Sequence, residues 1–183
     1  MPFDVALHTH RLLLRPLQRG DEDALFAVFG DPEVMRHWST PPWPDAAPGV
    51  QMIETDLGAG PDADWLRLAL VLRDSDELLG TCTLFDHHAP SRRAEIGYAL
   101  ARRAWARGLM HEALSALLDH GFEGWNLNRV EADIDPLNRA SARVLERLGF
   151  RLEGLLRQRW IVAGQASDSA LYGLLRSDRN AGS

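Results

Sequence analysis

A turn between a strand-like stretch and a helix-like stretch carries the residue types that bind anions. Residues 105–110 read WARGLM, and free backbone N–H groups at a helix start bind phosphate or pyrophosphate with help from the helix dipole. Arg102, Arg103 and Arg107 add fixed positive charge beside this turn. The turn has a single glycine and no P-loop or dinucleotide fingerprint, so an ordinary strand-to-helix connection remains an alternative. The expected cradle consists of Ala106, Arg107, Gly108, Leu109 and Met110.

Two polar residues open the next helix-like stretch, NRASARVLERL at 138–148. Asn138 and Ser141 stand three residues apart, which places them on one face of that helix. Both residue types are common at helix starts, where a side-chain oxygen accepts a backbone N–H. The helix is expected to lie beside the preceding one and to face the same cleft. Capping and ligand binding are therefore both open for these two side chains.

Residue counts exclude several other chemistries. The single cysteine, Cys82, excludes an intrachain disulfide and any multi-cysteine zinc site. All 20 basic residues are arginine, which excludes a Schiff-base lysine and a P-loop lysine. Asp86-His87-His88 follows a predicted strand, and adjacent strand side chains point in opposite directions. Only a loop would let the two histidines share a metal ion, so no metal is expected.

The charge distribution separates an acidic first half from a basic middle. The formal net charge is -6, which disfavours general binding of nucleic acid. Residues 21–77 hold 13 acids and three arginines, whereas residues 92–107 hold five arginines and one acid. The first half could attract a cation and the middle an anion, although solvated surface is the alternative for most of those acids. No apolar run approaches the length of a membrane span, and the first residues lack a secretion-signal pattern.

The elements that position these residues follow from hydrophobic periodicity. Strands are expected at 11–17, 65–72, 78–85, 94–101, 129–134, 150–162 and 167–175. Helices are expected at 21–29, up to residue 57, at 108–125 and at 138–148. The order β-α-α-β-β-β-α-β-α-β-β is typical of an α/β (α+β) fold with a mostly antiparallel sheet and a β-α-β core. A length of 183 residues suits a single domain, 1–183, with an ordered core at about 9–176.

Prolines and glycines predict the connections between these elements. Residues 38–49 contain four prolines and two tryptophans, which indicates a rigid loop. The stretch GAGPDAD, 58–64, predicts a turn. Gly149 is placed to end the second core helix in a left-handed conformation. Gly97, inside a strand, indicates a bulge or a close backbone approach.

The chain resembles the GNAT superfamily of N-acetyltransferases, in the branch of RimJ/RimL-like ribosomal-protein N-terminal acetyltransferases. The matching stretches run in the family order over nearly the whole chain: RLLLRPL, GDPEVMRHW, AEIGYAL, WARGLMHEAL, RVEADIDPLNRASARVLERLGFRLEG and DSALYGLL. The family signature Gln/Arg-x-x-Gly-x-Gly/Ala is altered at both ends, by Trp105 and Met110. Ala106 stands where the branch often has glycine, and it is expected to fit if its backbone dihedrals are helical.

The resemblance implies a fold, a donor and an acceptor. The GNAT sheet splays between the strand with AEIGYAL and the strand with RVEADI, and acetyl-coenzyme A enters that gap. Backbone groups near Ala99, Leu100 and Arg102 would hold the pantetheine arm, and Asn138 would bind the cofactor or tie the splayed strand. Transfer to a primary amine would be direct, without an acyl-enzyme. The acceptor would be a protein N-terminal α-amine or a small cationic amine.

The resemblance also implies roles for side chains in two proton transfers. Glu95 is the candidate base that deprotonates the amine, unless it pairs with a neighbouring arginine, and Glu153 is a second carboxylate candidate. Ser141 is the candidate acid for the leaving thiolate, with Tyr172 as the alternative. Further residues are candidates for the acceptor site, although ordinary packing is the alternative for the two aromatic ones: Trp38, Trp43 and Asp168.

The sequence is compatible with two functions, an enzyme and a non-catalytic binding module. The favoured one is a cytoplasmic acetyl-CoA-dependent N-acetyltransferase, monomeric or homodimeric, that binds neither nucleic acid nor membrane. The alternative is a non-catalytic GNAT-like module that binds coenzyme A as a sensor, because Trp105 and Met110 alter the signature.

Overall fold

The computed structural model describes residues 5–60 and 63–180. Its strands are β1 Leu7–His8, β2 Leu12–Arg15, β3 Leu66–Leu72, β4 Leu78–His88, β5 Arg93–Leu100, β6 Arg129–Ile134, β7 Arg151–Val162 and β8 Gln165–Leu175. Its α-helices are α1 Glu22–Phe29, α2 Pro32–Met35, α3 Ala47–Leu57, α4 Leu109–Gly124, α5 Arg139–Arg147 and α6 Arg176–Asn180. Short 3-10 turns lie at Ala89–Ser91 and Arg102–Ala104.

All eight strands join in one sheet, in the order β1-β2-β3-β4-β5-β6-β8-β7. Every neighbouring pair is antiparallel except β5 and β6, which run parallel. A parallel pair needs a crossover, and α4 supplies it in a β-α-β unit. The mixed, mostly antiparallel sheet with flanking helices confirms the predicted fold class.

The parallel pair separates part of the way along its length. β5 and β6 are paired only where Arg93–Glu95 meets Arg129–Glu131. Beyond that point β5 stays on β4 as far as Leu100, while β6 follows β8 as far as Ile134. The sheet is therefore splayed, and the gap opens toward the starts of α4 and α5.

Alternating side chains of β5 serve two hydrophobic clusters on opposite faces of the sheet. Ala94 and Ile96 pack with the apolar face of α4, whose buried positions recur at helical spacing. Ala99 packs on the other face with α1 and α3, through residues such as Leu25 and Ile53. The two clusters fix the splayed strand from both sides.

One glycine sets how closely β4 and β5 approach at the open end of the splay. A Cβ at Gly80 would overlap the backbone carbonyl of Ala99, so only glycine fits this position. No bulge occurs at Gly97, which pairs regularly with Thr83, and a Cβ there would meet the Phe85 side chain at 3.3 Å rather than a backbone group. The register shift falls instead between Phe85 and His88 on β4.

Most boundaries agree with the sequence-based expectations, and the differences are local. Three short elements of the structure were not predicted from the sequence: β1, α2 and α6. α2 begins at Pro32 after Asp31, whose carboxylate accepts the Glu33 N–H at 2.8 Å. Gly149 has a left-handed φ of 94°, as expected. Part of the predicted 58–64 turn, residues 61–62, lies outside the described residues, as do residues 1–4 and 181–183 of the proposed domain.

Within the described ranges, no helix is long and apolar enough to cross a membrane.

Candidate active site

A cavity of about 750 Å³ lies at the open end of the splay, lined by the end of β5 and by the starts of α4 and α5. We call it the large cavity. Its wall includes Leu109 and Met110 from the cluster under α4 and Trp38 and Ala99 from the opposite cluster. Residues from both faces of the sheet therefore line one continuous space.

The turn before α4, where the cradle is expected, lies at one end of this cavity. Ala106, Gly108, Leu109 and Met110 all line it. The side chains of Leu109 and Met110 are buried in the core, and both residues also line the cavity. The N–H groups in the first turn of a helix have no intrahelical acceptor, so this turn presents donors to an anion.

The backbone of the cradle turns through two left-handed residues. Gly108 has φ of 74° and Ala106 has φ of 58°. The expectation of helical dihedrals at Ala106 is therefore wrong. Alternating left- and right-handed residues make successive N–H groups converge in an anion-binding concavity, and a non-glycine residue in the left-handed region costs about 1–2 kcal/mol.

Arg11 fixes the cradle to the rest of the sheet. Its guanidinium donates to the Arg107 carbonyl at 2.8 Å and to Glu112 Oε2 at 2.7 Å. Glu112 Oε1 also accepts from the Thr9 hydroxyl and the Arg11 N–H. These bonds lower the Glu112 pKa against the opposing effect of its burial, and they hold the turn in place.

The positive charge of the large cavity comes from a different element than expected. Arg102, Arg103 and Arg107 do not line it, and Arg103 pairs instead with Glu77 at 2.6 Å. Arg139, Arg143 and Arg147 line it from α5, at spacings of four residues. None of these three forms an ion pair within the described part of the chain. The i, i+4, i+8 spacing in NRASARVLERL was the missed signal, because such residues share one helix face.

The altered residue of the signature, Trp105, makes a defined contact. Its indole Nε1 donates to the Leu100 carbonyl at 2.7 Å. Both residues line the large cavity. Trp105 therefore covers the end of the splayed strand at the wall of the cavity.

The hydroxyls of Ser141 and Tyr98 form a hydrogen bond with each other at the wall of the large cavity. The two oxygens are 2.6 Å apart, and both residues line the cavity. Asn138 Oδ1 accepts the Ser141 N–H at 3.0 Å, so Asn138 caps α5 while it also lines the cavity. Burial raises the pKa of Tyr98 to about 12, which keeps its hydroxyl protonated near neutral pH. Sequence reasoning gave no role to the Tyr98 hydroxyl.

Glu95 lies in a second cavity of about 410 Å³, the small cavity, at the inner end of the splay. Burial, and then the charges of Asp86 and Glu131, raises the pKa of Glu95. Arg93 is 3.9 Å from Glu95 but 2.8 Å from Glu131, and it therefore serves Glu131 first. The structure thus favours a poorly neutralised Glu95 over the paired alternative.

The other carboxylate candidate, Glu153, is already neutralised. It also lines the small cavity, but Arg129 donates to both of its oxygens, at 2.9 and 2.5 Å. The guanidinium lowers the Glu153 pKa. A carboxylate held in this way is a weaker proton acceptor than Glu95.

The remaining candidate residues divide between the two cavities and the core. Trp38 lines the large cavity, whereas Trp43 stacks on Phe29 at 4.6 Å and lines neither cavity. Tyr172 lines the small cavity and not the large one that holds Ser141. Asp168 accepts the Gln158 N–H at 2.8 Å in the β7–β8 hairpin, outside both cavities.

His37 and Asp135 form a pair at the large cavity that sequence reasoning missed. His37 Nδ1 and Asp135 Oδ2 are 2.6 Å apart, and His37 lines the cavity. The two residues are 98 positions apart in the chain, so no local sequence motif could indicate this contact.

The two adjacent histidines, His87 and His88, make packing and hydrogen-bond contacts within the fold. His87 and His88 lie within β4 rather than after it. His87 packs on Trp125 at 4.8 Å, and His88 Nδ1 accepts the Ser91 N–H. Across residues 5–60 and 63–180, no group of three His, Cys, Asp or Glu side chains is placed to hold a metal ion.

Comparisons with known proteins agree with this geometry. Residues 11–151 match the family described as an acetyltransferase (GNAT) domain. An uncharacterized N-acetyltransferase, p20 of Bacillus licheniformis, is 36% identical over 174 residues, covering 94% of this chain and 97% of that protein. The spermidine N(1)-acetyltransferase of Escherichia coli is 27% identical over 157 residues, covering 85% and 81%.

A solved structure shows the same fold. RimJ of Mycobacterium smegmatis, in complex with CoA-disulfide, superposes with a TM-score of 0.84 at 24% identity, covering 97% of this chain and 90% of that one. The chain belongs to the GNAT acetyltransferase family. It is an acetyl-CoA-dependent N-acetyltransferase of the GNAT type.

Proposed function

We propose that this enzyme transfers the acetyl group of acetyl-CoA directly to a primary amine within the large cavity. The observation that carries the proposal is that one cavity is lined by groups from both faces of the sheet. Its cradle and α5 arginines lie in the same space as the Ser141–Tyr98 pair and the Trp38 wall. Donor and acceptor can therefore meet in one cavity beside the unpaired end of β5.

The donor fits the residues present. Backbone N–H groups at the start of α4 would bind the pyrophosphate, and Arg139, Arg143 and Arg147 would bind further phosphate oxygens. The backbone of β5 near Leu100 would meet the pantetheine amides, whereas the Ala99 carbonyl faces Gly80 of β4 and the Leu100 carbonyl already accepts from Trp105. The amide Nδ2 of Asn138 remains available to the donor while Oδ1 caps α5.

The departing thiolate would be protonated by Ser141. The Ser141 hydroxyl lies 2.6 Å from the Tyr98 hydroxyl, which can replace the proton that Ser141 gives up. This relay makes Tyr98, rather than Tyr172, the tyrosine that supports the acid.

The proton of the incoming ammonium would go to Glu95. A carboxylate with a raised pKa accepts a proton more readily than an ordinary one. Glu95 lies where β5 and β6 begin to separate, and water in the small cavity would connect it to the amine. The small cavity is lined by four carboxylates, Glu95, Glu131, Asp133 and Glu153, against two guanidiniums, Arg129 and Arg159, and this excess of negative charge favours a cationic acceptor.

A covalent acyl-enzyme is not part of this proposal. Cys82 is fully buried, and burial raises the pKa of its thiol, so it is a poor nucleophile.

Two acceptor classes fit the charge and the relatives. The similarity to a spermidine N(1)-acetyltransferase supports a small cationic amine as the acceptor. A protein N-terminal α-amine is the second acceptor class that we propose, and the similarity to RimJ extends to the fold alone. The experiment is release of the coenzyme A thiol with acetyl-CoA and one of three amines: spermidine, kanamycin or a hexapeptide with a free N-terminus. Turnover of any amine, confirmed by the mass of the acetylated product, supports the proposal. Binding of acetyl-CoA without turnover of any of them would favour the coenzyme A sensor.

A further inference from the structure

The His37–Asp135 pair has a fixed orientation at the wall of the large cavity. Asp135 Oδ2 is 2.6 Å from His37 Nδ1, and Asp135 Oδ1 accepts the Leu137 N–H at 2.8 Å. Both carboxylate oxygens are therefore engaged. The side chains are 25% and 20% exposed, so the pair borders the cavity without being isolated from solvent.

The carboxylate selects the form of the imidazole ring. A hydrogen bond from Nδ1–H to Asp135 leaves the lone pair on Nε2, at the opposite edge of the ring. Nε2 makes no hydrogen bond with any residue in the ranges 5–60 and 63–180. His37 thus offers a free acceptor nitrogen in the space that it shares with Ser141 and Tyr98.

The chemistry of amide formation requires a second proton acceptor. A primary ammonium must lose one proton before its nitrogen can attack the thioester carbon. Once the C–N bond has formed, the nitrogen carries four bonds and must lose another proton. Glu95 lies in the small cavity and serves the first loss, whereas His37 lies in the large cavity with the proposed acid.

We propose that His37, oriented by Asp135, is the base that takes the second proton. This inference rests on the proposed function. The amine lone pair forms the C–N bond, and the carbonyl π electrons move to oxygen and return as the C–S bond breaks. The nitrogen gives one proton to Glu95 and one to His37 Nε2, and the sulfur receives one from Ser141. One proton per turnover therefore passes to solvent.

The groups around His37 are mixed in charge. Glu33 and Arg36 flank it on the α2 side of the large cavity, and Arg139, Arg143 and Arg147 face it from α5. Asp135 is the carboxylate in direct contact with the ring. The imidazole ring therefore lies between a fixed carboxylate and several guanidiniums.

The variant His37→Asn separates this role from a merely structural one. The asparagine amide nitrogen can occupy the place of Nδ1 and keep the hydrogen bond to Asp135, but nothing replaces Nε2. We expect kcat to fall about 100-fold, the usual contribution of a general base, with the KM for acetyl-CoA unchanged. The control is His8→Asn, at an exposed position in β1, which should retain the kcat of the wild type.

The pH dependence separates the two bases. Raising the pH toward ~10 deprotonates the amine in solution, because an alkyl ammonium has a pKa like that of lysine. Activity of Glu95→Gln should therefore recover at high pH, whereas that of His37→Asn should not. Added imidazole should restore part of the activity of His37→Gly.

Wild-type kcat for folded His37→Asn, with the amine that turns over fastest among spermidine, kanamycin and the hexapeptide, would overturn the inference and leave the proposed function intact. Recovery of His37→Asn at high pH would also overturn it. Failure of the wild-type enzyme to turn over any of these amines would overturn the proposed function and this inference together.

Discussion

The Ser141 hydroxyl is the proposed acid that protonates the departing thiolate. Its bond to Tyr98 and the capping of its N–H by Asn138 place it at the start of α5, inside the large cavity. The residue pattern could show that Asn138 and Ser141 share a helix face. It could not show that Tyr98, 43 positions away, shares the proton.

Replacing Ser141 by alanine tests this hydroxyl. Ser141→Ala should lower kcat by roughly 10–100-fold with little change in the KM for acetyl-CoA, because the hydroxyl would meet only the developing thiolate. Tyr98→Phe should lower kcat less, since Ser141 itself remains. Steady-state thiol release gives both constants. A rise in KM at constant kcat would assign Ser141 to donor binding instead.

Glu95 provides a residue-scale prediction about stability. Its folded pKa is raised, so between the ordinary and the raised value the native state binds more protons than the unfolded state. The free energy of unfolding therefore falls as the pH rises through that window, and the loss is complete once Glu95 is ionised. Glu95→Gln should raise Tm at pH 7 while lowering activity.

The matched control is Glu153→Gln. Arg129 lowers the pKa of Glu153, so its ionised form stabilises the native state above the ordinary glutamate pKa and this stability is lost in acid. Removing that charge should leave Tm at pH 7 unchanged or lower. Thermal unfolding of both variants at pH 7 checks the signs, and a lower Tm for Glu95→Gln would contradict the assigned environment.

At the scale of elements, the cradle depends on two left-handed residues. Gly108→Ala should lower the free energy of unfolding by about 1–2 kcal/mol, because φ of 74° strains an L residue. A Cβ there would lie 3.6 Å from Arg11, in ordinary contact, so the cost is backbone strain alone. The expected fall in Tm is roughly 2–8 °C.

Ala106→Gly is the complementary variant, since it removes the same kind of strain. It should bind acetyl-CoA at least as tightly as the wild type. Loss of binding in Ala106→Gly, measured by calorimetry, would show that the alanine methyl group, rather than the backbone, contributes to the site.

The contact between β4 and β5 makes a second element-scale prediction. Gly80→Ala would place a methyl group on the Ala99 carbonyl, and backbone atoms cannot yield as the end of a side chain can. We expect a loss of about 1–3 kcal/mol in the free energy of unfolding, typical of overpacking, together with weaker acetyl-CoA binding. The control is Gly60→Ala, where nothing lies within 4 Å. Equal stability of the two variants would contradict the close approach.

Periodicity predicted the long elements because their apolar faces are clear, as with the recurring Leu114, Leu117 and Leu118 of α4. It missed α2, a four-residue helix too short to show a period. The sequence also suggested that the positive charge at the cavity comes from Arg102, Arg103 and Arg107, because they are close to the turn in sequence. The side chains of residues that are adjacent in a turn need not point into the same cavity. Arg139, Arg143 and Arg147 required knowledge of how α5 lies beside the gap.

At the scale of the whole molecule, charge is divided between the two cavities. The large cavity carries the three α5 arginines, and the small one carries Glu95, Glu131, Asp133 and Glu153 against Arg129 and Arg159. The sequence indicated an acidic and a basic region. The acids of the small cavity other than Glu95 lie on β6 and β7, outside the acidic first half of the chain. Strand pairing brings them close to β5, and the sequence alone does not show this pairing.

The most direct test of the account is thermal unfolding with and without acetyl-CoA, for the wild type and for a triple variant with Arg139, Arg143 and Arg147 replaced by glutamine. A ligand at 100 times its Kd stabilises by about 2.7 kcal/mol, which corresponds to a rise in Tm of roughly 5–11 °C for a domain of this size. We predict that rise for the wild type and a clearly smaller one for the variant. No shift of the wild type at millimolar acetyl-CoA would contradict the account.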